Sequence, residues 1–514
     1  MQYILEALNG FLSFDVLIVL VLGVIAGIIG GGLPGISPSM TIALLLPISL
    51  YLPTVNAIVL LMAAYQGAMF GGSVSAILIN TPGTASAAAT TLDGYQMALK
   101  GQAGKALQMA LYASVTGGII GTIILLMMAQ PLSRIALRFG PPEYFGLMLL
   151  SLCLIAGISG KSLLKGLISA AIGLLLTTVG MDPILGVRRF TFGSLHLADG
   201  IQVLAIFIGL FAMAEILTQL SKGKANLNAR PDTLKVSDKL SFAEYWKQKW
   251  NMLISGIMGA VIGVLPGVGG ATACFIAYAE AKRKSKYPEK WGTGIIDGVA
   301  APEAANNAVA GGALVPMLTL GIPGDVVTAI LVGGLIAHGI RPGPLLFVND
   351  MPSVYRVYVA LFLACVTLLF IGRLGIPIFA KVVKLRKAVL LPLILIVCVV
   401  GVFSVRSNIL DVMLMVGLGA FGFILIKNGF PIPPMVIAFV VGTMLEQSLR
   451  QSLLLSNNNP MIFFQRPISA SLIIVAIIFA FFMVRRNQKT LKKELAEGEI
   501  LSAEEKAGVE EATG

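Results

Sequence analysis

The stretches GGGLPG (residues 30–35) and GVLPGVGG (residues 263–270) each interrupt a long apolar segment of this chain. The two segments cover residues 14–50 and 251–281. Proline lacks the backbone N–H that a helix needs and glycine tolerates conformations that end a helix, so both segments are predicted to break there. Each arm of the second segment has about 15 residues, or roughly 22 Å of helix, which is short for a membrane span. Two re-entrant helical hairpins are therefore predicted.

Basic residues show which side of a membrane the second hairpin enters from. Lys and Arg cluster at 222–249 and 282–290, on both of its flanks, whereas the first hairpin has none on either side. Cytoplasmic loops carry an excess of Lys and Arg, so the second hairpin is predicted to enter from the cytoplasm and the first from the opposite face. The net charge of +12 is interpreted as this positive-inside bias, and no nucleic-acid partner is expected.

The composition excludes a soluble protein. Of the 514 residues, 57% are hydrophobic and 12% are charged, about half the charged fraction of a soluble domain. This composition rules out a cytosolic enzyme, a secreted domain and a disordered chain, and predicts an all-α polytopic membrane protein. About 11 full spans plus two hairpins are expected, the spans at 54–79, 106–129, 143–160, 163–182, 200–220, 292–320, 354–372, 388–404, 408–427, 431–448 and 467–484.

Three elements recur in the same order in the two halves. The first Leu-Pro-Gly is followed by Gly-Gly at 71–72 and by TPGT at 81–84, and the second by Gly-Gly at 311–312 and by IPGD at 322–325. Because an odd number of spans lies between the copies, the second copy is predicted to be inverted. Two inverted-topology repeats, each with a re-entrant hairpin and an interrupted helix, are typical of secondary transporters.

The same reading divides the chain into five parts. They are a first membrane repeat (1–220), a cytoplasmic linker (221–250), a second membrane repeat (251–450), an additional C-terminal span (451–486) and a polar cytoplasmic tail (487–514). The N-terminus is predicted to be periplasmic and the C-terminus cytoplasmic.

Three long blocks, at 30–52, 71–107 and 263–325, resemble the TctA family, the large membrane subunit of tripartite tricarboxylate transporters. The resemblance covers about residues 15–350 in its motifs. It implies a small membrane partner (TctB), a periplasmic solute-binding protein (TctC) that delivers substrate, and import of di- or tricarboxylates such as citrate across the bacterial inner membrane. It also implies symport with Na⁺ or H⁺, and no cofactor is expected beyond this coupling ion. The residues alone indicate only a secondary transporter with inverted repeats.

Two other functions remain as alternatives. A carboxylate channel or facilitator would need a continuous polar path, whereas the polar residues here concentrate at paired breaks. The IPGD at 322–325 is superficially similar to the GxGD element of intramembrane aspartyl proteases, but Ile322 replaces its first glycine. An intramembrane enzyme is therefore less favoured, and no catalytic residue is predicted.

The hairpin tips and the two Pro-Gly breaks are the predicted substrate site. The predicted mid-membrane regions contain essentially no Lys or Arg, so helix N-termini must supply the positive potential for an anion. The candidates are Pro34, Gly35, Ser37, Ser39, Asn80, Thr81, Gly83, Thr84, Pro266, Gly267, Gly269, Pro323 and Gly324. We expect them to meet near the membrane midplane.

Polar residues in apolar surroundings are the candidates for ion coupling, because their burial is costly. Glu303 and Asn307 are four residues apart on one helix face, with Asn306 beside them. The candidates are Glu303, Asn306, Asn307, Asp325, Ser73 and Ser75, with Na⁺ as the metal that these oxygens suit. Four other acidic residues are expected nearer the membrane interfaces: Glu215, Asp182, Asp411 and Glu446.

Overall fold

The computed structural model describes residues 10–485, except residues 12, 159–161, 224–237, 383, 384 and 386. The regular elements of the described chain are helices, apart from two paired two-residue strands, β1 (Gly180–Met181) and β2 (Arg188–Arg189). The predicted all-α polytopic membrane class is confirmed. The domain boundaries stay predictions, and the tail at 487–514 and most of the linker lie outside the described residues.

Between residues 14 and 221 the described chain forms eight helices, one of which has a π-helical middle at Ile208–Met213. They are α1 (Phe14–Gly32), α2 (Pro38–Ser49), α3 (Thr54–Ile79), α4 (Ala88–Leu99), α5 (Ala103–Ala136), α6 (Pro141–Ile158), α7 (Leu163–Thr177) and α8 (Val203–Ser221).

The linker and second half contain twelve described helices. They are α9 (Phe242–Lys247), α10 (Lys249–Val264), α11 (Gly269–Lys284), α12 (Asp297–Leu320), α13 (Val326–Ala337), α14 (Leu346–Asn349), α15 (Met351–Val382), α16 (Lys387–Arg406), α17 (Ile409–Lys427), α18 (Ile432–Leu455), α19 (Ile462–Gln465) and α20 (Pro467–Arg485).

Nine helices in the described part of the chain are long and apolar enough to cross a membrane. Eight of them coincide with predicted spans, and the ninth is α1, whose 19 residues were expected to form only a hairpin arm. The other predicted spans correspond to α6, α7 and α12. Helix α12 is 24 residues long and is buried from Gly298 to Leu320, and α3 is buried from Asn56 to Leu78. These two helices form the centre of the protein.

Both interrupted segments end their first helix at the Leu-Pro-Gly. Helix α1 ends at Gly32 and α10 at Val264. At the turns, Gly35 has φ +97° and Gly267 has φ +85°, a left-handed conformation that is strained for residues with a Cβ. The glycines of the motif therefore allow the reversal between the arms.

Small residues let α1 lie directly against α3. Gly27 faces the backbone of Ala64, and Gly31 faces that of Ala68. Lipid gives helices little hydrophobic reason to associate, so close backbone approach through glycine and alanine supplies the packing energy. Residue numbers rise together along this contact, so α1 and α3 run in the same direction.

The second half repeats this contact between α10 and α12. Gly259 faces Ala305, and Gly263 faces Val309. These helices also run in the same direction. Helix α5 packs on the same central helix, where Gly117 lies against the backbone of Ala304.

The two central helices run antiparallel to one another. The Asn306 side-chain amide donates to the Met69 carbonyl (3.0 Å), and that of Asn307 donates to Gln66 Oε1 (2.7 Å). From the first of these contacts to the second, the residue number rises in α12 and falls in α3, as expected for antiparallel helices. Equivalent helices in opposite directions support the inverted-repeat interpretation.

We predict that a methyl group at Gly117 disrupts the central packing. Its Cβ would overlap the carbonyl oxygen of Ala304, which is backbone and cannot rotate away. Gly117→Ala should destabilise the fold by about 2 kcal/mol, seen as a lower Tm in detergent. The matched control is Gly417→Ala, since Gly417 lies in α17 with open space around it. An unchanged Tm for Gly117→Ala would contradict the packing described here.

The end of the linker, at residues 238–244, contacts the start of α5. Asp238 accepts from the N–H groups of Gly104 and Lys105 (2.7 and 3.0 Å). The Lys105 ammonium donates to Glu244 (2.8 Å), whose other oxygen completes a capping box with Ser241. The hydrogen bond from Lys105 and those from Ser241 lower the pKa of Glu244 from 4.5 to about 2. The folded state therefore favours the ionised form of Glu244.

This lowered pKa predicts a pH-dependent contribution to stability. Glu244 contributes fully above pH 4.5, and its contribution falls as the pH drops toward 2, because protonation then favours the unfolded chain. The Tm difference between wild type and Glu244→Gln should be largest at pH 7 and shrink below pH 4.5. Glu289→Gln, at an exposed position, is the control. A difference for Glu244→Gln that does not vary with pH would refute the assignment.

Candidate functional site

The first hairpin tip and the first Pro-Gly break come together beside α3. The Gly83 N–H donates to the Gly72 carbonyl (3.3 Å). A Cβ on Gly83 would overlap the Gly31 carbonyl and lie 2.9 Å from Ser75 Oγ. Glycine is therefore required at this position for the break to reach the end of α1.

A cavity of about 470 Å³ lies between the first hairpin tip, the first Pro-Gly break, helix α8 and the segment from the end of α17 to the start of α18. The predicted residues Gly35, Ser37, Gly83 and Thr84 line it. The remaining lining residues are Met40, Pro82, Ala85, Leu210, Phe211, Glu215, Ile426, Phe430, Pro431, Ile432 and Pro433. The chain thus brings four of the predicted substrate residues to one space.

The N-terminus of α2 faces this cavity. Ser37 caps the helix by accepting from the Met40 N–H (3.1 Å), and Pro38 occupies its first position. The Ser39 hydroxyl lies 2.8 Å from that of Ser37. Pro38 has no N–H, and the Met40 and Thr41 N–H groups both donate to Ser37. Among the described lining residues none is Lys or Arg, so the positive dipole end of α2 and the Ser39 N–H are the features that favour an anion.

The sequence did not indicate the far wall of the cavity. The π-helical middle of α8 contributes Leu210 and Phe211, and Glu215 follows it. Glu215, predicted at a membrane interface, accepts from Gln219 (2.5 Å), which in turn accepts from the Lys387 ammonium (3.0 Å). The charged residue that lines the cavity is therefore Glu215, and Gln219 connects it to the Lys387 ammonium. A π-helical turn is often found at functional sites, but the apolar pattern of this segment gives no sign of it.

The second hairpin tip and the second break also meet. The Gly267 N–H donates to the Gly324 carbonyl (2.8 Å), and Gly324 packs on the backbone of Ala313. Gly267 lies against Ile155 of α6. Pro266, Gly269 and Pro323 flank these contacts, and all five predicted residues lie outside the lining of the 470 Å³ cavity.

The start of the second hairpin's second arm lies close to the first break. A Cβ on Gly270, at the start of α11, would lie 3.2 Å from the Ser86 Cβ in the first break. The hydroxyls of Ser86 and Thr84 are 3.0 Å apart. The second hairpin therefore lies next to the break whose residues line the cavity.

Several predicted substrate residues lie elsewhere. Asn80 ends α3 with φ +52°, and Thr81 donates to the Ile79 carbonyl (3.2 Å). Both are exposed and lie outside the cavity lining. The half-buried Pro34 and the buried Ser39 also lie outside that lining. Their contact with substrate stays a prediction.

The ion-coupling candidates occupy three places. Glu303, Asn306, Asn307 and Ser73 lie together between α3 and α12. Ser75 donates to the Gly72 carbonyl (3.2 Å) beside the first break.

Asp325 lies at the second break, apart from the central candidates. It caps α13 by accepting from the Thr328 N–H (2.7 Å), and it accepts from the Tyr65 hydroxyl (2.8 Å). Capping of α13 is therefore a structural role for Asp325, and its predicted role in ion coupling stays a prediction.

Two of the acidic residues expected near interfaces form an ion-pair cluster. Arg189 makes a two-point contact with Glu446 (2.6 and 3.1 Å), and Arg450 contacts Asp182 (2.7 Å). This cluster fixes the β1–β2 turn to α18. It is apart from the cavity lining.

Comparison with known proteins gives one family. The family model described as "Tripartite tricarboxylate transporter TctA family" matches residues 17–437. The chain is similar to the "Uncharacterized 52.8 kDa protein in TAR-I ttuC' 3'region" of Agrobacterium vitis, at 39% identity over 457 residues, covering 88% of this chain and 90% of that protein. It is also similar to the "Uncharacterized protein in TAR-II ttuC' 3'region" of the same organism, at 34% identity over 234 residues, covering 45% and 97%. No solved structure matches the chain significantly.

We predict that Gly83→Ala displaces the first break. The added methyl group would meet the backbone of α1, so relief requires movement of the break or of the hairpin tip. The change should cost about 2 kcal/mol, measured as a lower Tm. Ala85→Ser, at an exposed position on the same loop, should leave the Tm unchanged. Equal Tm values for the two variants would show that the break and the tip are not packed as described.

Proposed function

Because the chain belongs to the TctA family, the large membrane subunits of tripartite tricarboxylate transporters, we propose that it imports di- or tricarboxylates by cation-coupled secondary transport. Members of this family work with TctB and TctC partners. The chain is a multi-pass membrane protein, and we place it in the bacterial inner membrane. A periplasmic binding protein would then deliver the substrate, and a Na⁺ or H⁺ gradient would drive its accumulation.

The observation that carries this proposal is the cavity at the first hairpin tip. Its volume of about 470 Å³ lies within the range of small-molecule sites, roughly 300–1,000 Å³. Ser37 and the N-terminus of α2 offer hydrogen-bond donors to a carboxylate, and Gly35 and Gly83 let the backbone approach a ligand closely. A helix N-terminus at a break in the membrane is how several transporters bind anionic substrates.

The proposed orientation places this cavity on the cytoplasmic side. With the N-terminus in the periplasm, α3 and α8 both run inward, and the loop between α17 and α18 is cytoplasmic. The cavity is lined by the break that follows α3, by Glu215 near the inner end of α8, and by Phe430 of that loop. The arrangement therefore corresponds to a state from which substrate leaves for the cytoplasm.

Uptake into proteoliposomes tests the proposal. The vesicles would contain this chain with its small membrane partner, with the binding protein outside, and would receive labelled citrate or dicarboxylates under imposed Na⁺ or H⁺ gradients. We expect accumulation that needs both the gradient and the binding protein. Equilibration without a gradient would indicate a facilitator or channel. Absence of flux for every carboxylate would refute the substrate class.

A bulky side chain at position 85 tests the cavity itself. Ala85 is exposed and lines the cavity, so Ala85→Trp should occupy substrate space while leaving the fold intact. We expect uptake to fall roughly tenfold or more, equivalent to about 1.4 kcal/mol or more of binding free energy, with an unchanged Tm. Ala85→Ser is the control. Wild-type uptake by Ala85→Trp would mean that the carboxylate binds elsewhere.

A further inference from the structure

Seven polar side chains are fully buried where α3 and α12 cross, outside the cavity described above. They come from four helices that pack together in the middle of the protein. The members are Gln66 and Ser73 of α3, Thr90 of α4, Ser114 of α5, and Glu303, Asn306 and Asn307 of α12. We call this set the central polar cluster.

Glu303 is a carboxylate without a positive partner. Its oxygens accept hydrogen bonds from the hydroxyls of Thr90 and Ser114 (3.1 Å for Ser114), and Ser73 also lies beside it. Among the described residues, Glu303 forms no ion pair with Lys or Arg. A carboxylate buried within a membrane bundle normally pairs with a charge or lines an ion pathway.

Two amide oxygens in the cluster lack donors. The Asn306 side-chain NH₂ donates to the Met69 carbonyl, and that of Asn307 to the carbonyl and side-chain oxygen of Gln66. Because the backbone carbonyls of Met69 and Gln66 can only accept, each NH₂ must face its carbonyl, and each Oδ1 must face away. Both Oδ1 atoms, together with Ser73 Oγ and the donor Gln66 Nε2, have no hydrogen-bond partner in the described chain. Unpartnered buried oxygens are uncommon in folded proteins and call for a ligand or water.

We propose that the central polar cluster binds one dehydrated Na⁺, held by the Glu303 carboxylate, the Oδ1 atoms of Asn306 and Asn307, and Ser73 Oγ. The inference rests on the proposed function, because it names the coupling ion and its site. Helical spacing of three and four residues places the three α12 side chains on one face. The ligands are the oxygens that alkali cations take in transporters. The positive charge of the ion balances the carboxylate.

A proton fits this cluster less well than Na⁺. A protonated Glu303 could donate one hydrogen bond and thereby satisfy one of the two Asn oxygens. The other amide oxygen would then depend on Ser73 Oγ or Gln66 Nε2, which also have no partner, for a donor. A cation can bind several oxygens at once and also supplies the missing charge.

The position of the cluster connects ion binding to the substrate cavity. A Cβ on Gly270 would lie 3.9 Å from Asn306 Oδ1 and 3.2 Å from Ser86. Ser86 contacts Thr84, which lines the cavity. Gly270 of the second hairpin therefore lies close both to Asn306 and to the first break. In this proposal, an ion that fixes Asn306 favours one position of these neighbouring elements, and Na⁺ and carboxylate stabilise one another's sites.

Sodium binding can be measured without any carboxylate. The chain would be purified in choline buffer free of Na⁺, and binding of radioactive Na⁺ and the change in Tm would be followed. We expect saturable binding of about one Na⁺ per chain and a higher Tm in Na⁺ than in choline, because a ligand bound to the folded state stabilises it. Glu303→Gln and Asn306→Ala should each weaken Na⁺ binding roughly tenfold or more.

A matched pair of serine variants separates loss of a ligand from loss of a buried hydroxyl. Ser73 and Ser169 are both fully buried with an unpartnered Oγ, but Ser169 lies in α7, outside the cluster. Ser73→Ala should weaken Na⁺ binding, and Ser169→Ala should not. Size-exclusion elution and the Tm in choline would show that each variant is folded, and Asn306→Ala serves if Glu303→Gln does not fold.

The outcomes keep this inference distinct from the transport proposal. No saturable Na⁺ binding by wild type would overturn the site, as would wild-type affinity in folded Glu303→Gln or in both Ser73→Ala and Asn306→Ala. Carboxylate uptake driven by H⁺ and indifferent to Na⁺ would overturn it while leaving the transport proposal intact. Sodium binding that depends on Glu303, without uptake of any carboxylate, would support the site and refute the proposed substrate class.

Discussion

The close backbone contact around α3 and α12 is the constraint on which the rest of this structure depends. A helix in lipid gains little by burying apolar side chains against another helix, so association relies on approach through small residues. Gly31 in α1, Gly263 in α10 and Gly117 in α5 let their helices lie against the central pair. Larger side chains at these positions would push the helices apart. The polar groups between the helices would then be too far apart to form their hydrogen bonds.

This packing determines where the helix breaks lie. Gly83 reaches the end of α1 because neither partner has a side chain in the way, and the Gly267 N–H meets the Gly324 carbonyl in the other half. A break in a membrane helix leaves N–H and carbonyl groups without intrahelical partners. Where protein packs on those groups they are satisfied, and where it leaves a cavity they are available to a ligand. The first break faces such a cavity, and the second break packs against its own hairpin.

Burial of polar groups gives the central helices a second role. Asn306 and Asn307 join α12 to α3 by donating hydrogen bonds. The same contacts turn their side-chain oxygens away from α3, where these oxygens have no hydrogen-bond partner. Glu303 adds a negative charge that hydroxyl groups solvate but do not neutralise. A structure that needed only to hold two helices together would be more stable with apolar residues here. We therefore propose that the polar cluster and the cavity serve one transport function. Gly270 lies close to both Asn306 and Ser86.

The sequence by itself determined the membrane class and the helix breaks at both Leu-Pro-Gly motifs, because composition, proline and glycine act locally whatever surrounds them. The family followed from the resemblance of three long blocks of sequence. It also indicated that Glu303, Asn306 and Asn307 share a face, since helical spacing fixes that relation. Only the tertiary structure decided that Gly35, Ser37, Gly83 and Thr84 share a cavity while Gly267 and Gly324 bond to each other, and that Phe211, Glu215 and Phe430 complete the wall. These relations join residues far apart in the chain, and they depend on how closely whole helices approach. No local pattern encodes that distance.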